Sequence, residues 1–252
     1  MVIPVSDRYR PRGTPWVNWL LVLANIGVFL FLTPWWAGEC AQAEFYLEWA
    51  TIPAEVSGLE PLDAQEADEV MPEGCETRTA EDKIVPLSLV TAMFLHGGWL
   101  HLLFNMVYLG VFGGSLEDRL GHFRYLTFYL LTGTLASVVF VLFDPDSTRP
   151  LVGASGAIAA VLGAYFRLFP RGWVTVVVPW LFFLPITLPS VIVLGIWFAL
   201  ELVQLQVGAL TGGNVATLAH VAGFVAGLVM VGLWRPSGRG RGRRRARSRR
   251  RR

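Results

Sequence analysis

The feature that most constrains this chain is a series of long apolar segments separated by charged or Gly- and Pro-rich stretches. A helix needs about 20 mainly apolar residues to cross a bilayer. Mean hydropathy is +0.50, and 54% of the residues are hydrophobic. The sequence therefore predicts an all-α polytopic membrane protein rather than a soluble domain. Its six transmembrane helices are expected at residues 16–32, 86–112, 123–143, 153–169, 190–205 and 218–234.

The charged residues are unevenly distributed along the chain. Thirteen of the 19 acidic residues lie within residues 39–82, and eleven of the 21 basic residues lie within 235–252. Six spans place both termini on one side, which then carries 18 Lys and Arg against three on the other. The positive-inside rule predicts a cytoplasmic N-terminal segment (residues 1–15), a cytoplasmic tail and an external acidic loop (residues 33–86), as in a bacterial plasma membrane protein.

The Arg-rich tail at residues 235–252 is of low complexity, and we predict that it is disordered. Clustered arginines on the cytoplasmic side favour contact with anionic lipids. No specific nucleic-acid partner is expected.

The first apolar segment, residues 16–32, has a competing interpretation as a cleaved signal peptide, and Ala41-Gln42-Ala43 imitates a cleavage site. The segment is longer than a typical signal core, however, and Trp16 and Trp19 are typical interfacial anchors. We predict a retained first span.

Two cysteines, Cys40 and Cys75, both fall in the external acidic loop. Outside the cytoplasm disulfides persist, so we predict a bond between them, with two free thiols as the alternative.

Glycines and prolines interrupt two of the apolar segments. The helix of the second span is expected to begin near Trp99 and to end at Gly113-Gly114, which returns Glu117 and Arg119 to water. Residues 171–189 contain three prolines and are expected to form an irregular interfacial or re-entrant segment that protein must shield.

The first turn of the fourth span carries Gly153-Ala154-Ser155-Gly156. Free N–H groups and the helix dipole favour developing negative charge there. The predicted topology places Ser155 and His220 near the outer ends of their helices, at similar depth. Small residues on both helices permit the close approach that a serine–histidine hydrogen bond requires, namely Gly156, Ala160 and Gly163 on one and Gly223 and Gly227 on the other.

His101 and Asn105 in the second span are one helical turn apart on one face. Two hydrogen-bond donors converging in an apolar helix suit an oxyanion hole. The alternative is a polar pair that only holds helices together.

Together these patterns resemble the rhomboid family of intramembrane serine proteases. The matching motifs, in order along the chain, are His96 with His101-x-x-x-Asn105, then Glu117-x-Arg119, then Gly153-x-Ser155-Gly156, then Ala219-His220-x-x-Gly223-x-x-x-Gly227. The resemblance implies a six-helix bundle over residues 16–234. The long external first loop and the Arg-rich tail lie outside the family core. It implies that Ser155 is the nucleophile and His220 the general base. His101, Asn105 and the Ser155 backbone N–H would form the oxyanion hole, and Glu117 and Arg119 a structural pair. His96 is expected to brace the Gly97-Gly98 turn.

The chain departs from the family pattern at Ala159, where members often carry an aromatic residue packed on the histidine ring. What orients His220 is therefore open. Glu201 is the only acid well inside a span. Because the fifth span packs at the substrate gate in the family, we expect Glu201 to be a water-facing or gate residue rather than a partner of His220, and we predict a dyad.

The implied function is endoproteolysis of single-span membrane proteins near the outer end of their transmembrane helix, with no cofactor or metal. The chain has no His-Glu-x-x-His sequence, and Asp144 and Asp146 lie in a loop, so zinc and aspartyl proteases are disfavoured. The alternatives are a non-catalytic rhomboid-like protein that binds membrane clients and a small transporter.

Overall fold

The structure is a computed structural model that describes residues 3–179, 182–211 and 216–234; the predicted tail at 235–252 lies outside them. The elements in chain order are β1 (Ile3–Asp7), α1 (Trp16–Gly27), α2 (Glu39–Trp49), α3 (Pro53–Gly58), α4 (Ala64–Val70), α5 (Val85–Thr91), α6 (Trp99–Leu120), α7 (His122–Phe143), α8 (Ser155–Leu168), β2 (Trp173–Val178), β3 (Leu184–Pro189), α9 (Ser190–Thr211) and α10 (Ala216–Leu233). A π-helical turn at Val28–Leu32 continues α1, and a 3₁₀ turn at Ala92–Phe94 follows α5.

Within the residues that the structure describes, four helices are long and apolar enough to cross a membrane: α6, α7, α9 and α10. The first and fourth predicted spans correspond to shorter apolar helices, Trp16–Leu32 and Ser155–Leu168. The architecture is therefore a mostly helical membrane bundle, while the count of six spans remains a prediction.

Helix α8 lies at the centre of the bundle, in contact with α6, α7, α9 and α10. Every residue from Ala157 to Tyr165 is buried. Its 14 residues give a length of about 21 Å, less than the roughly 30 Å of the hydrocarbon core. A short helix enclosed on all sides can therefore start well below one membrane surface.

The all-α prediction is wrong in one part, because residues 173–178 and 184–189 form two β-strands where an irregular segment was expected. Strands β2 and β3 pair antiparallel, and β1 adds to the other edge of β2, giving the order β1-β2-β3. The β-branched run in Trp173–Val178 favours a strand. The prolines that indicated irregular backbone, Pro185 and Pro189, lie in the edge strand β3, where a missing N–H is tolerated.

The predicted end of the second-span helix at Gly113-Gly114 is also wrong. Helix α6 continues to Leu120 and stops at Gly121, whose φ of +85° favours glycine. At Gly113 a Cβ atom would lie 2.6 Å from the Tyr125 hydroxyl, so this glycine serves close packing rather than termination.

Glu117 is accordingly buried in the last turns of α6 rather than exposed to water. Its carboxylate accepts hydrogen bonds from the backbone N–H groups of Val17 (3.1 Å) and Asn18 (2.7 Å), and thereby caps the N-terminus of α1. It also lies 2.5 Å from His122 Nδ1. The Arg119 guanidinium lies 5.6 Å from the centre of the Phe169 ring. Both residues occupy the end of α6 that is remote from Ser155.

Residues 33–86 form a small helical unit with its own apolar core between α2 and α4. A disulfide joins Cys40 and Cys75, and closing a loop of this length contributes about 3–4 kcal/mol in the chain-entropy model. Lys83 Nζ donates to the carbonyls of Leu47 (2.7 Å) and Ala50 (2.9 Å) at the end of α2 and to the Glu55 carboxylate. All three Lys83 donors are thus used inside the unit.

Candidate active site

The start of α8 is shaped by Gly153. Its φ is +122°, and a Cβ atom there would lie 2.7 Å from His101 Nε2, so both backbone conformation and space require glycine. The Gly153 N–H donates to the Ala92 carbonyl at 2.9 Å. The first helical bond runs from Ile158 N–H to the Ala154 carbonyl, so Ser155 occupies the first turn, where backbone N–H groups lack intrahelical acceptors.

Helices α8 and α10 pack with their backbones in contact. A Cβ atom at Gly223 would collide with the Gly156 carbonyl, and one at Gly227 would collide with the Ala160 carbonyl. From the α8 side, a Cβ atom at Gly163 would collide with the Phe224 carbonyl. Small residues at matching positions are therefore what allows these two helices to approach so closely.

This close packing brings the two predicted reactive side chains together. Ser155 Oγ lies 2.8 Å from His220 Nε2, within hydrogen-bond distance, although the residues are 65 positions apart in sequence. The His220 side chain is 26% exposed and lies on the wall of a cavity. A hydroxyl hydrogen-bonded to an imidazole is the arrangement of a serine nucleophile and its base.

Glu201 lies on the other side of the His220 ring, and the expectation that it is not a partner of the histidine is wrong. Its Oε2 atom is 3.1 Å from His220 Nδ1, and its side chain is 12% exposed. The expectation rested on the family arrangement of the fifth span, whereas α9 here presents its one carboxylate to the histidine. The sequence did contain a signal for this contact. An isolated acid inside a span is energetically costly, so a buried partner for Glu201 is the simplest explanation of its presence there.

The α6 side of the site carries His101 and Asn105. The Gly97 N–H donates to His101 Nδ1 at 3.4 Å, so a neutral His101 ring carries its proton on Nε2, the nitrogen that faces Gly153 beside Ser155. Asn105 is buried, and its Nδ2 donates to the His101 carbonyl at 2.8 Å, which leaves one amide N–H for another acceptor. Both side chains lie on the wall of the same cavity as Ser155.

His96 is fully buried behind this wall. Its ring packs edge-to-face against His101 with 5.1 Å between centroids, and its carbonyl accepts a hydrogen bond from the Tyr46 hydroxyl at 3.0 Å. These contacts connect Tyr46 of α2 to His96, and His96 to His101, the predicted oxyanion-hole residue.

The reactive groups surround a cavity of about 240 Å³. Ala159 lies on its wall, so no aromatic ring at that position covers the histidine. Tyr108 and Trp197, which the sequence analysis did not single out, also line it. They separate it from a second, apolar cavity of about 400 Å³ between α6, α9 and the sheet, whose walls also include Glu201. The site is thus a small chamber with mostly apolar walls, on which a few polar side chains converge.

Comparison with known proteins identifies the family. Residues 85–237, which include α6 to α10 and every residue of the site, match the Rhomboid domain. RHOMBOID-like protein 5 of Arabidopsis thaliana is 30% identical over 187 residues, covering 68% of this chain and 57% of the relative. RHOMBOID-like protein 6, mitochondrial, of the same plant is 30% identical over 185 residues, covering 65% and 56%.

Rhomboid-like protease 5 of Toxoplasma gondii is 31% identical over 142 residues, covering 56% of this chain and 15% of the relative. The chain thus spans just over half the length of the two plant relatives it matches. With a domain match over more than half of its residues and a matching helical bundle, the chain is an integral, multi-pass membrane protein that belongs to the rhomboid family.

Proposed function

We propose that this protein is an intramembrane serine endopeptidase that cleaves single-span membrane proteins near the outer end of their transmembrane helix. The observation that carries the proposal is the 2.8 Å contact between Ser155 Oγ and His220 Nε2 at the wall of a cavity among membrane helices. Family membership supports it, because one relative is named as a protease.

In the proposed reaction, Ser155 Oγ attacks a peptide carbonyl while His220 Nε2 accepts the hydroxyl proton. The His101 Nε2–H, the free amide N–H of Asn105 and the Ser155 backbone N–H stabilise the oxyanion. His220 then protonates the leaving amine, and the acyl-enzyme forms. A water molecule, activated by the same imidazole, hydrolyses the acyl-enzyme.

The proposed topology has six spans, with both termini in the cytoplasm of a bacterial cell and residues 33–86 outside. The length of α8 supports a position of the site near the outer surface. If the C-terminal Arg167 of α8 lies near the cytoplasmic surface, Ser155 lies within the outer half of the bilayer. Water would reach the cavity from outside.

The proposed substrates are transmembrane helices, whose carbonyls are held in intrahelical hydrogen bonds. Helix-weakening residues such as glycine or proline near the scissile bond should therefore increase the cleavage rate, because they lower the cost of exposing a carbonyl.

We also propose that the Arg-rich tail binds anionic lipid headgroups, at about 1 kcal/mol for each arginine held near the surface. Deletion of residues 236–252 should weaken binding to anionic liposomes without reducing cleavage in detergent. Loss of cleavage in detergent would instead make the tail part of the catalytic fold.

The experiment that tests the function compares purified wild-type protein with Ser155→Ala and His220→Ala on a single-span model substrate in detergent. Both substitutions should abolish cleavage while the melting temperature stays near that of the wild type. A client-binding protein would retain the substrate uncleaved and resist labelling by a fluorophosphonate, and a transporter would show solute flux that depends on Ser155 or His220. Cleavage by Ser155→Ala at the wild-type rate would refute the proposal.

A further inference from the structure

We infer that Glu201 is the third member of a Ser155–His220–Glu201 triad, a positioning residue that holds the His220 ring for proton transfer. The inference rests on the proposed function and extends it to a residue on a different helix. Its geometric basis is a continuous row of contacts, with Ser155 Oγ 2.8 Å from His220 Nε2 and Glu201 Oε2 3.1 Å from His220 Nδ1.

The two contacts specify one tautomer. An ionised Glu201 only accepts hydrogen bonds, so with Glu201 ionised His220 Nδ1 carries the proton that it donates to the carboxylate. Nε2 is then left with its lone pair directed at the Ser155 hydroxyl. When Nε2 takes the serine proton, the ring becomes an imidazolium, and the Glu201 charge 3.1 Å away stabilises it without accepting a proton itself.

Among the residues that line the cavity, Glu201 is the one placed to orient the His220 ring. Besides His220, the titratable or hydrogen-bonding side chains around the cavity are those of Ser155 on α8, His101, Asn105 and Tyr108 on α6, and Trp197 and Glu201 on α9. Glu201 is the only carboxylate among these cavity-lining residues. Ala159 offers only a methyl group, so packing by an aromatic ring cannot fix the imidazole at this position.

The cost of Glu201 is consistent with this role. An ionised side chain within a membrane span is expensive unless it is paired. A residue that served only to admit water or substrate would need neither a charge nor a place within hydrogen-bond distance of the base. The contact with His220 pairs the Glu201 charge and, at the same time, orients the imidazole ring.

The test uses the full-length protein and four variants: Glu201→Gln, Glu201→Leu, Glu201→Asp and, as a control on the same helix, Gln204→Leu. Gln204 is exposed and lines the neighbouring larger cavity, not the chamber at Ser155. The measurements are kcat and KM for the model substrate, the rate at which a fluorophosphonate inactivates Ser155, and the melting temperature.

Glu201→Gln and Glu201→Leu should lower kcat by about 10²- to 10⁴-fold and slow the inactivation of Ser155, with KM nearly unchanged, because Gln presents the wrong hydrogen-bonding partner and Leu none. Glu201→Asp keeps the charge and should restore a large part of kcat. Gln204→Leu should behave like the wild type. Glu201→Gln is isosteric, so its melting temperature separates a catalytic loss from unfolding.

Two other outcomes are decisive in different ways. If Glu201→Gln and Glu201→Leu raise KM but leave kcat and Ser155 inactivation at wild-type values, Glu201 is a gate residue and the triad is refuted. If wild-type Ser155 neither cleaves substrate nor reacts with the fluorophosphonate, the proposed protease function itself fails. Where only cleavage of the chosen substrate is lacking, the inactivation rates still decide the role of Glu201.

Discussion

The two helices that flank His220 are held in the bundle in opposite ways. Helix α8, with Ser155, is enclosed on all sides and locked to α10 through backbone contacts at glycine. Helix α9, with Glu201, lies at the edge of the bundle. Only 11% of its 18-residue apolar stretch is buried, against 33% to 44% for the corresponding stretches of α6, α7 and α10. The chamber and the apolar cavity both lie between α9 and α6.

This difference separates two requirements of the site. The distance between the Ser155 hydroxyl and the His220 ring depends on the α8–α10 interface, which cannot shift without steric collision. The position of the Glu201 carboxylate depends on α9, a helix that is far less buried. Changes in the α8–α10 interface should therefore reduce stability first, whereas changes in α9 should reduce turnover first.

The largest effect on stability is expected from Gly227→Ala. Its Cβ would collide with the Ala160 carbonyl, and overpacking against backbone costs about 1–3 kcal/mol or more. We expect a loss of at least about 5 °C in melting temperature. The cleavage rate should fall by about 10²-fold if His220 is displaced by 1 Å.

Gly195→Ala in α9 is the matched control. There a Cβ atom would meet nothing closer than Phe166 Cε2 at 3.9 Å, an ordinary contact. Its melting temperature should equal that of the wild type. Equal destabilisation by Gly195→Ala and Gly227→Ala would remove the contrast between the two helices.

The next effect concerns α6, the wall that faces α9 across the chamber. His101→Ala removes a proposed oxyanion donor, whose Nε2 lies beside Gly153, and should lower kcat by about 10²- to 10³-fold. Asn105→Ala should cost less, because its amide already donates to the His101 carbonyl. His96→Ala opens space in a buried site and should lower the melting temperature more than kcat.

Initial cleavage rates and melting temperatures of these three variants test the assignment. If His101→Ala cleaved like the wild type and His96→Ala did not, the two histidines would exchange roles.

The smallest effect is expected from Phe198→Ala, which loosens α9 itself. Phe198 stacks on Phe224 of α10 with 4.4 Å between ring centroids, and such pairs contribute about 1 kcal/mol beyond their buried area. We expect a melting temperature only a few degrees lower, but a kcat about three- to tenfold lower because Glu201 is held less well. Val203→Ala, at an exposed position of the same helix, is the control. A large loss of stability in Phe198→Ala would show that α9 belongs to the rigid core.

Much of the fold and of the candidate site follows from local patterns in the sequence. Long apolar segments predict spans because the bilayer penalises polar side chains wherever they sit in the fold. The strips of small residues on α8 and α10 predict close packing, because a glycine has no side chain to keep the backbone of a neighbouring helix away. Ser155 and His220 can therefore be paired from the sequence alone, with the predicted topology placing them at one depth.

Other features depended on how separate segments meet in space. In sequence Gly113 resembles a helix end, but in the structure Tyr125 packs against it. The prolines of residues 184–189 resemble breaks, but pairing of the three strands makes them part of a sheet edge. Glu201 is the clearest case. Its position along α9 is evident from sequence, but whether a carboxylate faces lipid, water or a histidine depends on the rotation and tilt of the helix. Those are set by packing against neighbouring helices, which no local pattern encodes.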